Sequence, residues 1–501
     1  MSFEPIYEVA VLDGLAKLSS AQVAVEAKLV PSYGEEITKI LGVSSAVDVF
    51  TTEVFAGEAR IKGKVDFKVL YSNTSGDNRC LVSTVEFSDK MLGDEITGGN
   101  PCVSAKVLDT DIVSASSSEI RLAAVVEIQL LGQVTKRIKY LVKGGDGVHA
   151  CEQNEQYTKV LACFAGSNSI TAEASIGAKQ IECFESRIAV TRITPSTDIV
   201  VVEGEIVSDV VYRGEGGIGH ALLSTPFAFE VEATGSISGC DAFASLRISG
   251  ATANVIEGEE NTIIINYTAT ANGFVYEKRA FDCVADAFCV KNELVKQEQA
   301  ISSSSVKASA FFADEVDGSV TLEAGLPIVD NIVTPIGSAV IISSAYATNG
   351  KIVVEGLLRS NVVYFSGESN SCNSVTVELP FSVSKPMDVS ENDKVFASGE
   401  VLGVNVKIRR GNEIDVRADV RFAVCISGEV KFSVITDIAL GAEIVEPQSA
   451  ISMHIASKKE TLWDVAKAFC VSPEVVMEQN PELSFPLTGG ERIICFRRLT
   501  K

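Results

Sequence analysis

The sequence predicts a mainly β protein: three tandem antiparallel β-sandwich or barrel-like repeats followed by a small β-α-α-β module. Three observations predict it. A nine-residue pattern occurs three times, as Gly63-Lys-Val-Asp-Phe-Lys-Val-Leu-Tyr71, Gly204-Glu-Ile-Val-Ser-Asp-Val-Val-Tyr212 and Gly356-Leu-Leu-Arg-Ser-Asn-Val-Val-Tyr364. A second landmark, Gly132, Gly273 and Gly428, keeps nearly the same spacing: both landmarks step by 141 residues and then by 152 and 155. Past residue 450 the apolar period changes from two to helical.

Each repeat reads in the same order. Apolar residues alternate between the Gly and the Tyr, the mark of a half-buried strand. A strand precedes each Gly (Val49–Phe55, Ile199–Val202, Lys351–Val354), and a polar Gly-rich turn follows each Tyr. Return strands follow at Val82–Phe87, Pro226–Val231 and Val375–Phe381. The second halves hold strand-like Ala105–Val113, Ser245–Ala253 and Gly399–Ile408, then Ile120–Leu130, Thr262–Ala271 and Glu413–Cys425, with strands expected to end at the landmark glycines. Preserved offsets mean that whole units were duplicated. The units are placed at 20–145, 165–290 and 318–440, each with about seven short strands. Asp146–Tyr157 and Lys291–Lys307, with its Ser302-Ser-Ser-Ser tract, read as linkers or surface-lying connections, and Leu440–Ser449 with Pro447 closes the third unit.

The terminal fifty residues read differently. Met453–Ile455 is a short strand. Leu462, Val465, Ala466 and Phe469 form a helical stripe with Thr461 as N-cap. Ser472-Pro473 opens a second helix that stops at Asn480-Pro481, and Arg492–Phe496 is the final strand. Trp463 is expected inside the helix pair as fold support.

Composition narrows function. Length 501 suggests about three or four domains at roughly 150 residues each. Acidic residues number 66 against 43 basic, a net charge of −23, which opposes nucleic acid and anionic membranes as partners. Residues 451–501 carry seven Lys/Arg and six Asp/Glu, so the acidity lies on the remaining 450 residues at −24. With only 3 His in the chain, general-base and metal chemistry are starved of their commonest residue. No enzyme, cofactor or metal site is expected. His149 reads as a linker residue, His220 as part of a hairpin and His454 as a strand residue, each satisfied or solvated. Gly214-x-Gly216-x-x-Gly219 spells a dinucleotide fingerprint but precedes a return strand, so it reads as a hairpin turn. The 12 cysteines show no C-x-x-C, and the N-terminus has no basic or apolar leader; free, mostly buried thiols are expected. A Cys470–Cys495 disulfide is the less favoured reading. No apolar run approaches the ~18 residues of a membrane span.

Thr461-Leu-Trp463-Asp-Val-Ala466, Phe469, Val471, Val476, Asn480-Pro481 and Gly490-x-x-Ile493 resemble the LysM domain. Lys459-Glu460 stands where that family has Gly-Asp, and Phe496 where it has a closing Pro. The resemblance implies a LysM-like domain at 451–497. It also implies a partner or ligand groove formed by Lys459, Glu460, Thr461, Leu462 and Trp463 with Asn480, Pro481 and Leu483. The three β units resemble SPOCS repeats. Three SPOCS repeats plus a terminal LysM is similar to SipL-type spore coat morphogenetic proteins. That resemblance implies a non-enzymatic scaffold in the mother-cell cytoplasm at the outer forespore surface. Its LysM would dock on the coat's basement-layer morphogenetic ATPase. The alternative is a peptidoglycan-binding protein of the wall or cortex.

Overall fold

The computed structural model describes residues 3–93, 96, 101–215, 217–256, 261–445 and 450–496. Eighteen long strands among these residues fall into three groups of six. The first group is β1 (Ile6–Leu29), β2 (Ile37–Phe55), β3 (Glu58–Asn73), β4 (Asn78–Leu92), β5 (Cys102–Ala115) and β6 (Ile120–Lys143). The second is β7 (Val148–Ser175), β8 (Gln180–Ser196), β9 (Ile199–Gly214), β10 (Gly217–Glu232), β11 (Asp241–Ile256) and β12 (Thr262–Cys289). The third is β13 (Asn292–Thr321), β14 (Asn331–Thr348), β15 (Lys351–Ser366), β16 (Ser371–Pro386), β17 (Lys394–Arg410) and β18 (Glu413–Glu443).

Pairing is antiparallel throughout and the same in each group. One sheet has the order β1-β6-β5, β7-β12-β11 or β13-β18-β17, and the other β2-β3-β4, β8-β9-β10 or β14-β15-β16. In the third group a single pair, Tyr346 with Lys394, joins the two sheets into one of six strands. The sheets stack face to face as a sandwich. In the first group β3 contributes Val65, Phe67 and Val69 and β6 contributes Leu122, Ala124, Val126 and Ile128 to one core, all fully buried. Each large side chain so buried contributes roughly 1.5–3 kcal/mol.

The repeated Gly has a physical cause. Gly63, Gly204 and Gly356 lie directly opposite Phe87, Phe227 and Phe381 on the neighbouring strand. A Cβ at any of them would sit 2.4–2.8 Å from that ring and 2.3–2.7 Å from a backbone carbonyl on the other side. The strand is thin here so that an aromatic ring can lie across it.

Strand length is where expectation and structure part. The groups span 6–143, 148–289 and 292–443, each with six strands of up to 31 residues rather than about seven short ones. Gly132, Gly273 and Gly428 do not end their strands. Close to each, the partner strand carries a bulge, at Leu18, Leu161 and Lys307. In the first and third groups the bulged side chain lies over the Gly, where a Cβ would meet it at 2.1 Å. Beyond the bulges the pairs β1–β6, β7–β12 and β13–β18 continue as two-stranded arms. The predicted linkers are the starts of β7 and β13, and residues 6–19, left outside the first unit, lie in β1.

The three arms bundle. Ala10, Leu12, Ile138 and Tyr140, Phe281 and Cys283, and Ile301, Phe432 and Val434 form one core shared by all three groups. The serine tract lies in this seam because it is small: Gly14 of β1 approaches Ser304 so closely that a Cβ on Gly14 would overlap its backbone. Buried polar groups are satisfied at the seam, Thr158 donating to Val306 O (2.8 Å) and Asp13 accepting from Val160 N (3.1 Å) across it and from Thr135 Oγ1 (2.8 Å) within its own arm. Gly216 and Pro447 lie outside the described residues.

Candidate interaction site

The terminal segment folds as β19 (Ile451–Ile455), α1 (Leu462–Phe469), α2 (Pro473–Gln479) and β20 (Arg492–Phe496). Thr461 caps α1: its hydroxyl accepts from Asp464 N at 3.3 Å, and Asp464 Oδ2 accepts from Thr461 N at 2.9 Å. Ser472 caps α2, with Pro473 in its first turn. Val465, Ala466 and Phe469 of α1, Val476 of α2, and Ile493 and Cys495 of β20 close a small core. All 12 cysteines are free thiols, Cys470 and Cys495 among them.

That core is not self-contained. Phe288 of β12 belongs to it. Trp463 is half-buried at this junction instead of inside the helix pair, its ring 5.0 Å from that of Phe288. Trp463 Nε1 donates to Asp286 Oδ2 at 2.8 Å, and Lys467 Nζ to the same oxygen at 2.5 Å. Lys296 Nζ of β13 donates to Asp286 Oδ1 at 2.6 Å. Burial alone would raise the Asp286 pKa, but the hydrogen bonds from Lys296, Lys467 and Trp463 outweigh it and hold this carboxyl well below the usual carboxylate range. The module is thereby seated on the second group's arm, and His149, on β7 rather than in a linker, stacks on Phe288 with its ring 5.3 Å away.

The eight groove residues divide by what they already do. Lys459, with φ 68°, and Pro481 are exposed, as is the cap Thr461. Leu462 and Leu483 are half-buried against the module core. Glu460 accepts from Ser457 N (2.7 Å) and is bonded to His454 Nε2 (2.8 Å). The loop before α1 is pinned to Leu487, with Lys459 N bonded to Leu487 O at 2.8 Å and Leu487 N to Glu460 O at 2.9 Å. Asn480 is buried, its amide donating to Ile494 O (2.9 Å) and accepting from Ile494 N (3.0 Å). Gln479 does the same for Phe496 N (2.7 Å) and O (3.1 Å). These two side chains take the place of a neighbouring strand along β20.

The other edge and face of this hairpin are open. Ile451, Met453 and Ile455 on β19 and Ile494 and Phe496 on β20 are all exposed, 37% to 61% of their surface. Ile451 pairs with Phe496 and Met453 with Ile494. Ile494 and Phe496 turn their backbone groups toward α2, so in antiparallel register Ile451 and Met453 turn theirs outward. Alternation along two short strands could have revealed this face in the sequence; the fixed seat could not.

A second feature lies between the groups. A cavity of about 750 Å³ is lined by all three, with Lys68, Arg187, Arg247, Arg359 and Glu400 on its wall. Most of its cations are paired in place: Arg187 with Asp209 (2.6 Å) and Glu185 (3.2 Å), Arg247 with Asp48 (2.6 Å), and Arg359 with Asp109. Glu400 is solvent-exposed on the cavity wall, and the protein crowded around it pushes its carboxyl up to about 7, with Arg187 opposing. His220 Nε2 lies 2.9 Å from Asp209, in the β9–β10 hairpin that carries the Gly-rich spelling, where Gly219 pairs with Tyr212 and a Cβ would strike its ring. Among the described residues no three His, Cys, Asp or Glu side chains group as metal ligands, and no helix is long and apolar enough to cross a membrane.

Comparison with known families matches residues 329–409, which run from just before β14 to near the end of β17, to the SipL, SPOCS domain family. No curated protein and no solved structure matches the chain. The match supports a sporulation-related protein of SipL type.

Proposed function

We propose that this chain is a non-enzymatic scaffold of spore coat assembly, working in the mother-cell cytoplasm at the outer forespore surface. Its terminal LysM-like module docks on the coat's basement-layer morphogenetic ATPase. The observation that carries the reading is the SPOCS match at 329–409. Two features support a holding role. Three β groups bundled through shared cores offer a rigid frame, and the module leaves an apolar sheet face and one strand edge uncovered. Lys459, Thr461, Pro481 and the rims of Leu462 and Leu483 are the groove positions free to meet a partner; Trp463, Glu460 and Asn480 act by holding the module's shape and seat.

The test is retention of the basement-layer ATPase from sporulating cells by the full chain, by residues 1–450, and by full chains carrying Leu462→Ala or Lys459→Glu. Loss with the truncation and weakening with the point variants are expected. Retention that is indifferent to removal of 451–501 would sink the docking role. Co-sedimentation of the full chain with insoluble peptidoglycan at physiological salt would favour the wall-binding reading.

A further inference from the structure

A three-way apolar junction holds one cysteine from each group. Cys80 of β4, Cys183 of β8 and Cys372 of β16 cluster with Leu41, Leu70, Val211 and Val363. Within it Cys80 Sγ lies 2.9 Å from Cys183 Sγ. A disulfide measures about 2.0 Å, so closure needs a movement of less than about 1 Å. Neighbours on both strands hold this register across the group boundary. Arg79, next to Cys80, reaches Glu182, next to Cys183, at 3.3 Å, and Arg213 braces Glu182 at 3.0 Å. On the other side Lys68 donates to Phe184 O. Cys372 is engaged elsewhere, accepting from Asn78 Nδ2 at 3.2 Å.

We propose that Cys80 and Cys183 are an oxidation site at which a peroxide closes a covalent link between the first and second groups of strands. Cys80, half-buried, is the sulfur that a small oxidant reaches; Cys183 is buried, and its bond to Cys80 together with burial keeps it a neutral thiol. The Cys80 thiolate attacks hydrogen peroxide, breaking the O–O bond to give a sulfenic acid and one water after protonation. Cys183 Sγ then attacks Cys80 Sγ, and its proton leaves with the hydroxide as a second water. Two thiols and one peroxide become one disulfide and two waters. The link ties residues far apart in sequence, so it resists separation of the first two groups without altering either sandwich.

The test uses the full chain carrying Cys163→Ser, which removes the exposed thiol and with it intermolecular pairing. After hydrogen peroxide at neutral pH, peptides are mapped without reduction. The expected product joins the Cys80 and Cys183 peptides, disappears with dithiothreitol, is absent after Cys183→Ser and survives Cys372→Ser. The oxidised chain should melt higher than the reduced chain. If both thiols can still be alkylated once the treated chain is unfolded, or Cys80 goes on to sulfinic acid or pairs with Cys372, the proposal fails. The parent chain alone decides this, whatever the variants' folding.

Discussion

Removing the Asp286 carboxylate should unseat the terminal module. Two hydrogen bonds cross from the module to this group, from Trp463 and from Lys467. A bond to a charged acceptor is worth about 1.5–3 kcal/mol. Lys467 is 43% and Asp286 24% exposed, so the lysine's share falls to about the 0.2–1 kcal/mol of a surface pair. Asp286→Ala therefore costs the seat roughly 2–3 kcal/mol, about one and a half to two decades in the docking equilibrium. Phe288→Ala removes the ring beneath Trp463 as well. The chain has a single Trp, so its emission and acrylamide quenching read this contact alone. The expected order is parent, Asp286→Ala, then the double variant, with emission moving to the red and quenching rising at each step. A double variant with parent-like emission and quenching, its β-sheet dichroism intact, would refute the seat.

The other predictions draw on separate features. The Asp286 pKa is depressed in the folded chain, so its stabilisation is full above the ordinary Asp value of about 4 and is lost as pH falls through the lower folded value. Trp463 emission should thus hold steady from pH 7 down to about 4 and shift only below; a transition between pH 5 and 7 would contradict the assignment. Glu400 is the opposite case: a carboxyl raised to about 7 holds an extra proton when folded, so its contribution falls as pH rises from about 4 to 7. The melting temperature of Glu400→Gln should gain on the parent's across that range, and a pH-independent difference would count against a raised acid. Gly356→Ala, whose Cβ would meet Phe381 and Ile341 O, should cost about 1–3 kcal/mol in denaturant unfolding, whereas Gly250→Ala, with nothing closer than 3.9 Å, should unfold near the parent midpoint.

Local patterns in the sequence carried much of this structure. Alternation through Val65, Phe67 and Val69, and its counterparts, marked the central strands because each lies between two apolar layers. The caps at Thr461 and Ser472 were legible because capping is settled within four residues. The arms were not. Gln153 and Glu155, or Gln297 and Glu298, show no apolar alternation, and the core of the seam is assembled from Leu12, Tyr140, Phe281, Ile301 and Phe432, which stand far apart in sequence. The seat of the module was invisible for the same reason, since Trp463 and Asp286 stand 177 residues apart.

The bundled arms also give the molecule a direction. Phe3 and Tyr7 from the start of the chain, Val148 and Leu294 from the two crossings between groups, and the seat at Asp286 and Phe288 gather at one end of the arms. The turns at Gly34, Gly177 and Gly325, between the first and second strands of each group, lie at the far ends of the sandwiches, where Ile37 N meets Ser117 O, Lys179 N meets Arg213 O and Leu322 N meets Asn412 O. A chain held through its terminal module therefore presents those turns away from whatever holds it. Copies attached side by side would share one outward face, so a layer built from them has an inside and an outside from its first molecule onward.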